Sequence, residues 1–354
     1  MKENNVLEIC DLTISFETPR GRMKVVRSVS LELERAGVLA IVGESGSGKS
    51  VTVRSVMSLL PKTAVIESGE IWLKEKEPGK APLDLTKLSH KQVVNQINGQ
   101  RIAMVFQDPL TVLNPTMPVG KQIMEGMLLH KRCGRQEARQ RTLRLLQDVE
   151  IRDGIRYMKQ YPHQLSGGMR QRAAIAIALS GDADILICDE PTTALDAAVQ
   201  ARILELIDRI RRERSLSVIL ITHDLSVVSK AADRVAVMYA GEIVEYGTRE
   251  DIFLRPAHPY TWGLLSSTPY EGAERLYSIP GNPPDLSYPI KGDAFAPRNE
   301  YALKEDFEEE APMISISPSH SVRSRLYLNG ARPELPALLL SRIERMRKEE
   351  IHGS

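Results

Sequence analysis

Cysteine is scarce in this 354-residue chain: Cys10, Cys133 and Cys188 stand far apart, with no C-x-x-C pair. That argues against a disulfide framework and a structural zinc site, and for a reducing compartment. An excess of either charge is also missing, because 47 Lys and Arg face 46 Asp and Glu for a formal charge of +1. A dedicated nucleic-acid binder carries a large basic excess, so nucleic acid is not an expected partner. No run approaches 18 consecutive apolar residues, so nothing here spans a bilayer unaided. The opening MKENNVLEIC is polar before it alternates, unlike a secretory signal, and the expected location is the cytoplasm. Internal repeats are missing too. What remains is ordinary soluble usage, 42% hydrophobic and 26% charged, on a chain long enough for one large domain plus an appendage or for two domains.

Proline marks a boundary. Of 21 prolines, 12 lie at or after Pro256, where the chain changes character. Before that point, β-branched runs alternate with amphipathic helical runs. Strands are expected near Leu7–Phe16, Val25–Leu33, Val38–Val42, Ile71–Leu73, Ile102–Phe106, Ile185–Cys188, Val218–Ile221, Val235–Tyr239 and Ile243–Tyr246. The short runs VLAIV, ILIC and VILI read as central strands buried on both faces. Between the last two, Asp196 is placed to cap a helix whose Val199, Ile203, Leu206, Ile207 and Ile210 share one face. That is a βαβ unit, and the core is an α/β sheet. Residues from about Val119 to Leu179 lack strand-like runs and read as a helical insertion. The charged segments Lys74–Pro82 and Glu305–Glu310 read as solvated loops. The tail LPALLLSRIERMRKEE reads as an amphipathic helix, with docking to a partner open.

Residues 43–50 read GESGSGKS, directly after VLAIV and before the helical run Val51–Leu60. This is a P-loop in its required strand–loop–helix context. Gly43, Gly46 and Gly48 let the backbone curl so that successive N–H groups face phosphate oxygens. The helix N-terminus adds a partial positive charge. Lys49 is placed to reach the β- and γ-phosphates, and Ser50 to ligate Mg²⁺.

Further along, ILICDE ends an apolar strand on two carboxylates. Asp189 is suited to supporting Mg²⁺, and Glu190 to polarising a water for in-line attack. His223 (in VILITHD) and Gln107 (in MVFQDP) end two more such strands. A γ-phosphate contact is favoured for His223, while Gln107 reads equally as a sensor of Mg²⁺ and the attacking water or as an ordinary loop residue. LSGGMRQR at 165–172 opens another helix, with a serine and two glycines that offer free N–H groups to an anion. One ATP does not need two phosphate loops from the same subunit, which points to a head-to-tail dimer with shared sites.

Together, GESGSGKS, Gln107, LSGGM, ILICDE with TTALD, and His223 resemble the ATP-binding subunit of an ABC transporter, over about residues 5–255. The resemblance implies a P-loop NTPase of ABC type. It would have a mixed β-sheet core in an ATP-binding domain (1–255), a helical subdomain at about 110–180 and a proline-rich extension (256–354). It implies that Gly43, Ser45, Gly46, Ser47, Gly48, Lys49, Ser50 and Val51 hold ATP, while Ser166, Gly167 and Gly168 serve a partner's ATP. Ser50, Gln107 and Asp189 would attend Mg²⁺, with Glu190 as catalytic base, His223 as switch histidine and Gln107 beside them. Asp196 falls in the loop that crosses the dimer. Phe16 is similar to the aromatic that stacks on adenine, and a core role remains open for it.

FQDPLTVLNP (106–115), DEPTTALD (189–196) and HPYTWGLLSSTP (258–269) are similar to the dipeptide/oligopeptide/nickel importer family. That implies a homologous second ATPase, two membrane permeases, an extracytoplasmic solute-binding protein at one remove, and a peripheral place on the cytoplasmic face of the membrane. Many relatives carry four cysteines in the extension. The corresponding positions here are Asp293, Asn299, Asp306 and Ser324, so no iron–sulfur cluster is expected. The rival reading is a soluble ABC ATPase acting on ribosomes or DNA. It is disfavoured by balanced charge and by the lack of a second cassette. A degenerate regulatory subunit is disfavoured because Lys49, Glu190 and His223 are all present.

Overall fold

The computed structural model describes residues 1–19, 21–77, 79–129, 133–193, 195–268 and 277–352, with side chains through 347. Pro78 of the charged loop, Ala194 of TTALD and Pro269 at the end of HPYTWGLLSSTP lie outside the described residues. The chain opens with a hairpin, β1 (Asn5–Thr18) and β2 (Gly21–Glu34). Next, β3 (Val38–Val42) leads through the glycine loop into α1 (Lys49–Val56). β4 (Ala64–Leu73) and the two-residue β5 (Leu83–Asp84) join the hairpin in an antiparallel sheet of order β2-β1-β4-β5. α2 (His90–Gln96) and β6 (Ile102–Val105) follow.

Among the described residues, five α-helices then precede the next strand: α3 (Pro109–Val112), α4 (Val119–Leu129), α5 (Arg135–Asp148), α6 (Gly154–Tyr157) and α7 (Gly167–Leu179). The sheet resumes with β7 (Ile185–Asp189), α8 (Ala197–Arg214), β8 (Ser217–Ile221), α9 (Leu225–Ala231), β9 (Arg234–Tyr239) and β10 (Glu242–Thr248). Beyond it lie α10 (Arg249–Leu254), α11 (Pro259–Ser267), β11 (Met313–Ser317), β12 (His320–Arg323) and α12 (Ala337–His352).

The larger sheet runs β11-β12-β10-β9-β3-β8-β7-β6. From β9 to β6 it is parallel, and β10, β12 and β11 add antiparallel strands at one edge. Every residue of β3, β7 and β8 is buried, as their unbroken apolar runs require. The strand period of two divides them between layers. Ile185, Ile187, Ile219 and Ile221 pack with Val53 and Val56 of α1 and with the smaller sheet. Leu186, Cys188, Val218 and Leu220 pack with the helices on the opposite face. Each such side chain taken from water contributes about 1.5–3 kcal/mol before entropy is charged. A slip of one residue in β7 would exchange the two sets, so burial on both faces also sets which way Asp189 points.

Asp196 caps α8 by accepting from the Val199 amide at 3.0 Å, and Ile203, Leu206, Ile207 and Ile210 form its buried stripe. Two expectations change. Glu305–Glu310 is not simply a solvated loop. Lys304–Phe307 coils into a short 3₁₀ turn, and buried Asp306 accepts from the Leu303 amide (2.8 Å) and pairs with Arg325 (3.2 Å). The tail helix docks on its own chain: Leu339 and Ile343 of α12 enter a core with Tyr260, Trp262 and Leu265. Arg342 also donates to the carbonyls of Leu265 and Thr268 at the C-terminal end of α11. The segment after Pro256 thus lies against the sheet and extends it through β12.

Candidate nucleotide site

Because β3, β6, β7 and β8 run parallel, their C-terminal ends open on one edge of the sheet. GESGSGKS, Gln107, Asp189–Glu190 and His223 all follow those ends, where ligands bind in open α/β sheets. Two glycines of the loop are dictated by space and by backbone. Gly43 has φ +151°, and a Cβ there would lie 2.0 Å from the Met238 carbonyl. Gly48, the left-handed cap of α1 at φ +101°, would set a Cβ 2.7 Å from the Val25 carbonyl. Ser45 and Gly46 stand exposed at the tip, Ser47 is buried, and Ser50 and Val51 are half-buried at the start of α1.

Lys49 is 5% exposed, and its Nζ donates to the carbonyls of Gly43 and Glu44, both at 2.7 Å. Burial pulls its pKa below the ordinary lysine value, against the raising fields of Glu190, Asp189 and Glu44. Asp189 is fully buried. Its Oδ1 accepts from Ser50 Oγ at 2.7 Å and its Oδ2 from Arg54 Nη2 at 3.0 Å. A hydroxyl and a carboxylate, both hard oxygen donors, fit Mg²⁺.

Three side chains converge on Glu190. Gln107 Nε2 donates to its Oε2 at 3.1 Å, Thr193 Oγ1 donates to the same oxygen at 2.9 Å, and His223 Nδ1 lies 3.6 Å away. Among the described residues none bonds Oε1. Glu190 is held at φ +48°, a left-handed conformation that costs a non-glycine residue about 1 kcal/mol. Its amide donates to the Ile221 carbonyl across the neighbouring strand at 2.9 Å, which holds the turn. Of the residues singled out in the sequence, Gln107, Glu190 and His223 are brought together here. Thr193, inside TTALD, and Arg54, four residues after Ser50 on α1, join the cluster without having been singled out.

Ser166 caps α7 through the Met169 amide, with Gly167 and Gly168 in the first turn. A Cβ on Gly168 would meet Val199 of α8 at 2.9 Å, and one on Gly167 would meet Leu195 at 3.5 Å, so the loop lies beside the Asp196 turn. Among the described residues no hydrogen bond or ion pair joins Ser166–Gly168 to Gly43–Ser50. Phe16, half-buried on β1 opposite Met23 and Ala64, packs against the core around the smaller sheet.

The extension also reaches the loop. Tyr260 of the HPY stretch accepts from the Glu44 amide at 2.8 Å, and Arg298 pairs with the Glu44 carboxylate at 2.7 Å. Neither contact is legible in the sequence, since pairs 216 and 254 positions apart leave no local pattern. The positions of the relatives' cysteines hold other chemistry here. Asp293 Oδ1 accepts from the Phe295 amide, Asn299 Oδ1 from Tyr301, Asp306 Oδ2 from Leu303 and Ser324 Oγ from Leu326. These are turn-capping bonds, and the donor set offers no thiolate for an iron–sulfur cluster.

The family model described as ABC transporter matches residues 26–193, and that for the oligopeptide/dipeptide transporter C-terminal region matches 244–305. The dipeptide transport ATP-binding protein DppD of Lactococcus lactis is 52% identical, over 92% of each chain. The oligopeptide transport ATP-binding protein OppD of Bacillus subtilis is 50% identical, over 92% of this chain and 90% of its own. Among solved structures, the bacterial ABC transporter cassette MJ0796 superposes with a TM-score of 0.60 at 24% identity, over 69% of this chain and 98% of its own. CbiO1 of Clostridium perfringens gives 0.59 at 26%, over 72% and 92%. The chain is a member of the ABC transporter ATP-binding subunits, in the group that carries the oligopeptide/dipeptide transporter C-terminal region.

Proposed function

We propose that this chain is the ATP-hydrolysing motor of a peptide importer and that the residues gathered at the sheet edge do the chemistry. The relatives' names supply the cargo class, dipeptides and oligopeptides. The observation that carries the chemical reading is the convergence of Gln107, Thr193 and His223 on one oxygen of Glu190, beside the buried Asp189–Ser50 pair.

In this reading the loop amides and Lys49 bind the β- and γ-phosphates, the signature loop of a second ATPase subunit closes over that γ-phosphate, and Ser166–Gly168 of this chain serve the partner's ATP. Phe16 stacks on the base. Ser50, Asp189 and Gln107 would hold Mg²⁺, which supplies charge neutralisation on the phosphate oxygens. With Oε2 occupied by protein donors, Glu190 keeps Oε1 for a water. It takes that water's proton as the oxygen attacks phosphorus in line and the bond to ADP breaks, giving ADP and phosphate. His223 and Gln107 hold the carboxylate and bear on the γ-phosphate. Two membrane permeases receive the resulting motion on the cytoplasmic face, the second ATPase is a homologous subunit, and a solute-binding protein delivers cargo outside.

The test is ATP-driven peptide uptake into vesicles containing the assembled complex, wild type against Glu190→Gln. Uptake and hydrolysis should fall together by roughly 10²–10⁴-fold while MgATP binding persists. Near-normal turnover in the variant would remove Glu190 as base. Co-purification with ribosomes in place of permeases would overturn the importer reading.

A further inference from the structure

Glu44, within the glycine loop, turns its amide and its carboxylate to the segment after Pro256. Its carboxylate is gripped in a two-bond fork, Arg298 Nη1 to Oε2 at 2.7 Å and Nη2 to Oε1 at 3.1 Å. Its amide is already donated to Tyr260. Arg298 is almost wholly buried, its side chain 5% exposed. Two further guanidinium donors are used: Nε donates to the Pro280 carbonyl at 2.7 Å, and Nη1 also donates to the Tyr239 hydroxyl at 3.2 Å. Burial opposes its charge, but the bonds to Glu44 and Tyr239 outweigh it and hold the guanidinium above its ordinary pKa. Around it, Tyr239, Tyr260 and Phe295 form an aromatic nest with centroids 4.6–5.3 Å apart.

A planar guanidinium–carboxylate fork is directional as well as strong, so it sets the orientation of Glu44 and does more than attract it. The Glu44 carbonyl is in turn one of the two that hold Lys49 Nζ. A continuous chain of bonds therefore runs from the extension, through Glu44, to the lysine of the P-loop. We propose that Arg298 and Tyr260 are positioning residues for the nucleotide site: the segment after Pro256 clamps Glu44 and thereby sets the shape and nucleotide affinity of the P-loop. The extension is then a control point on ATP binding, and any event that displaces it from Tyr239 and Glu44 loosens the loop. This rests on the reading of GESGSGKS as the ATP site.

The test uses the full-length chain as wild type, Arg298→Ala, Arg298→Lys, Glu44→Gln, Tyr260→Phe and the Arg298→Ala/Glu44→Gln double variant. Hydrogen exchange reads the peptide spanning 43–50 without nucleotide, and a MgATP titration reads affinity. In Arg298→Ala, exchange should quicken at 43–50 and stay unchanged in the 185–189 and 218–221 strands. MgATP should bind at least about tenfold more weakly, the scale on which partners that orient a ligand-holding group act. Lysine, which cannot fork, should restore part of the loss, and the double variant should be no weaker than the weaker single one. In the assembled complex KM for ATP should rise with kcat unchanged. Unchanged exchange at 43–50, unchanged affinity, or additive losses in the double variant would each overturn the clamp. Should Arg298→Ala fail to fold, Glu44→Gln and Tyr260→Phe carry the same comparison. A wild-type chain that binds no MgATP would sink the ATP reading instead, and the exchange arm would still decide the clamp.

Discussion

Acid should unfasten the region around α11, and His258 says by how much. The ring is 1% exposed, and its Nδ1 accepts from the Tyr260 amide at 3.0 Å, capping the helix. Burial pulls its pKa from 6.5 down to about 3, with Arg323 adding both a raising backbone bond and a lowering charge. The folded-state value lies below the free one. Between those limits the unfolded chain therefore binds more protons, and each fall in pH favours unfolding. The contribution is complete above pH 6.5 and drains away as pH falls towards 3, at about 1.4 kcal/mol per unit. From pH 7 to pH 5 it amounts to about 2 kcal/mol.

Trp262 sits on the same helix, 2% exposed, its backbone amide bonded to the His258 carbonyl, and it is one of only two tryptophans. In a Trp72→Phe background its fluorescence reports urea unfolding of this region. His258→Asn keeps a good cap and removes the titration. The variant pays a pH-independent cost for lost volume, so only the change in the difference matters. Wild type should lose about 2 kcal/mol more than His258→Asn between pH 7 and pH 5. A difference that holds constant to within about 0.5 kcal/mol would refute the buried neutral imidazole.

Asp293 should show the opposite sign. Burial raises it to about 6 from 3.8, so its stabilising protonation is lost as pH rises between those values, and Asp293→Asn should gain about 2 kcal/mol on wild type from pH 4 to pH 6 in the same urea assay. Ser50→Ala removes the hydroxyl bonded to Asp189 at 2.7 Å. It should weaken ATP binding about tenfold with Mg²⁺ and leave binding in EDTA unchanged, as read by titration with a fluorescent nucleotide. Cys188, fully buried and pushed up to about 12, should resist maleimide at pH 8 in the native chain and react once urea unfolds it, as checked by mass spectrometry. Native labelling at the unfolded rate would contradict the burial of β7.

What the sequence determined alone was everything carried by short-range pattern. The apolar runs VLAIV, ILIC and VILI became β3, β7 and β8 because unbroken hydrophobic stretches of strand length must be covered on both faces. Gly43 and Gly48 announced the loop because no side chain fits their backbone, and Ser166 and Asp196 announced helix starts because their oxygens satisfy amides within the next turn. Even the common edge shared by Gln107, Glu190 and His223 followed from parallel strands ending alike.

Tertiary structure alone decided the rest. Met313–Ser317 and His320–Arg323 are partly exposed strands too weakly patterned to show their pairing, and they form because β10 offers an open edge. Asp306 looked solvated in an acidic run, yet its turn carries it inside to meet Arg325. Arg298 reaches Glu44 only because the sheet brings β3 beside β9 and the extension folds back over both. A cap or a glycine loop is satisfied by neighbours in the chain and so is written in composition. A fork between residues 254 apart is satisfied by topology, and no window of sequence contains both of its ends.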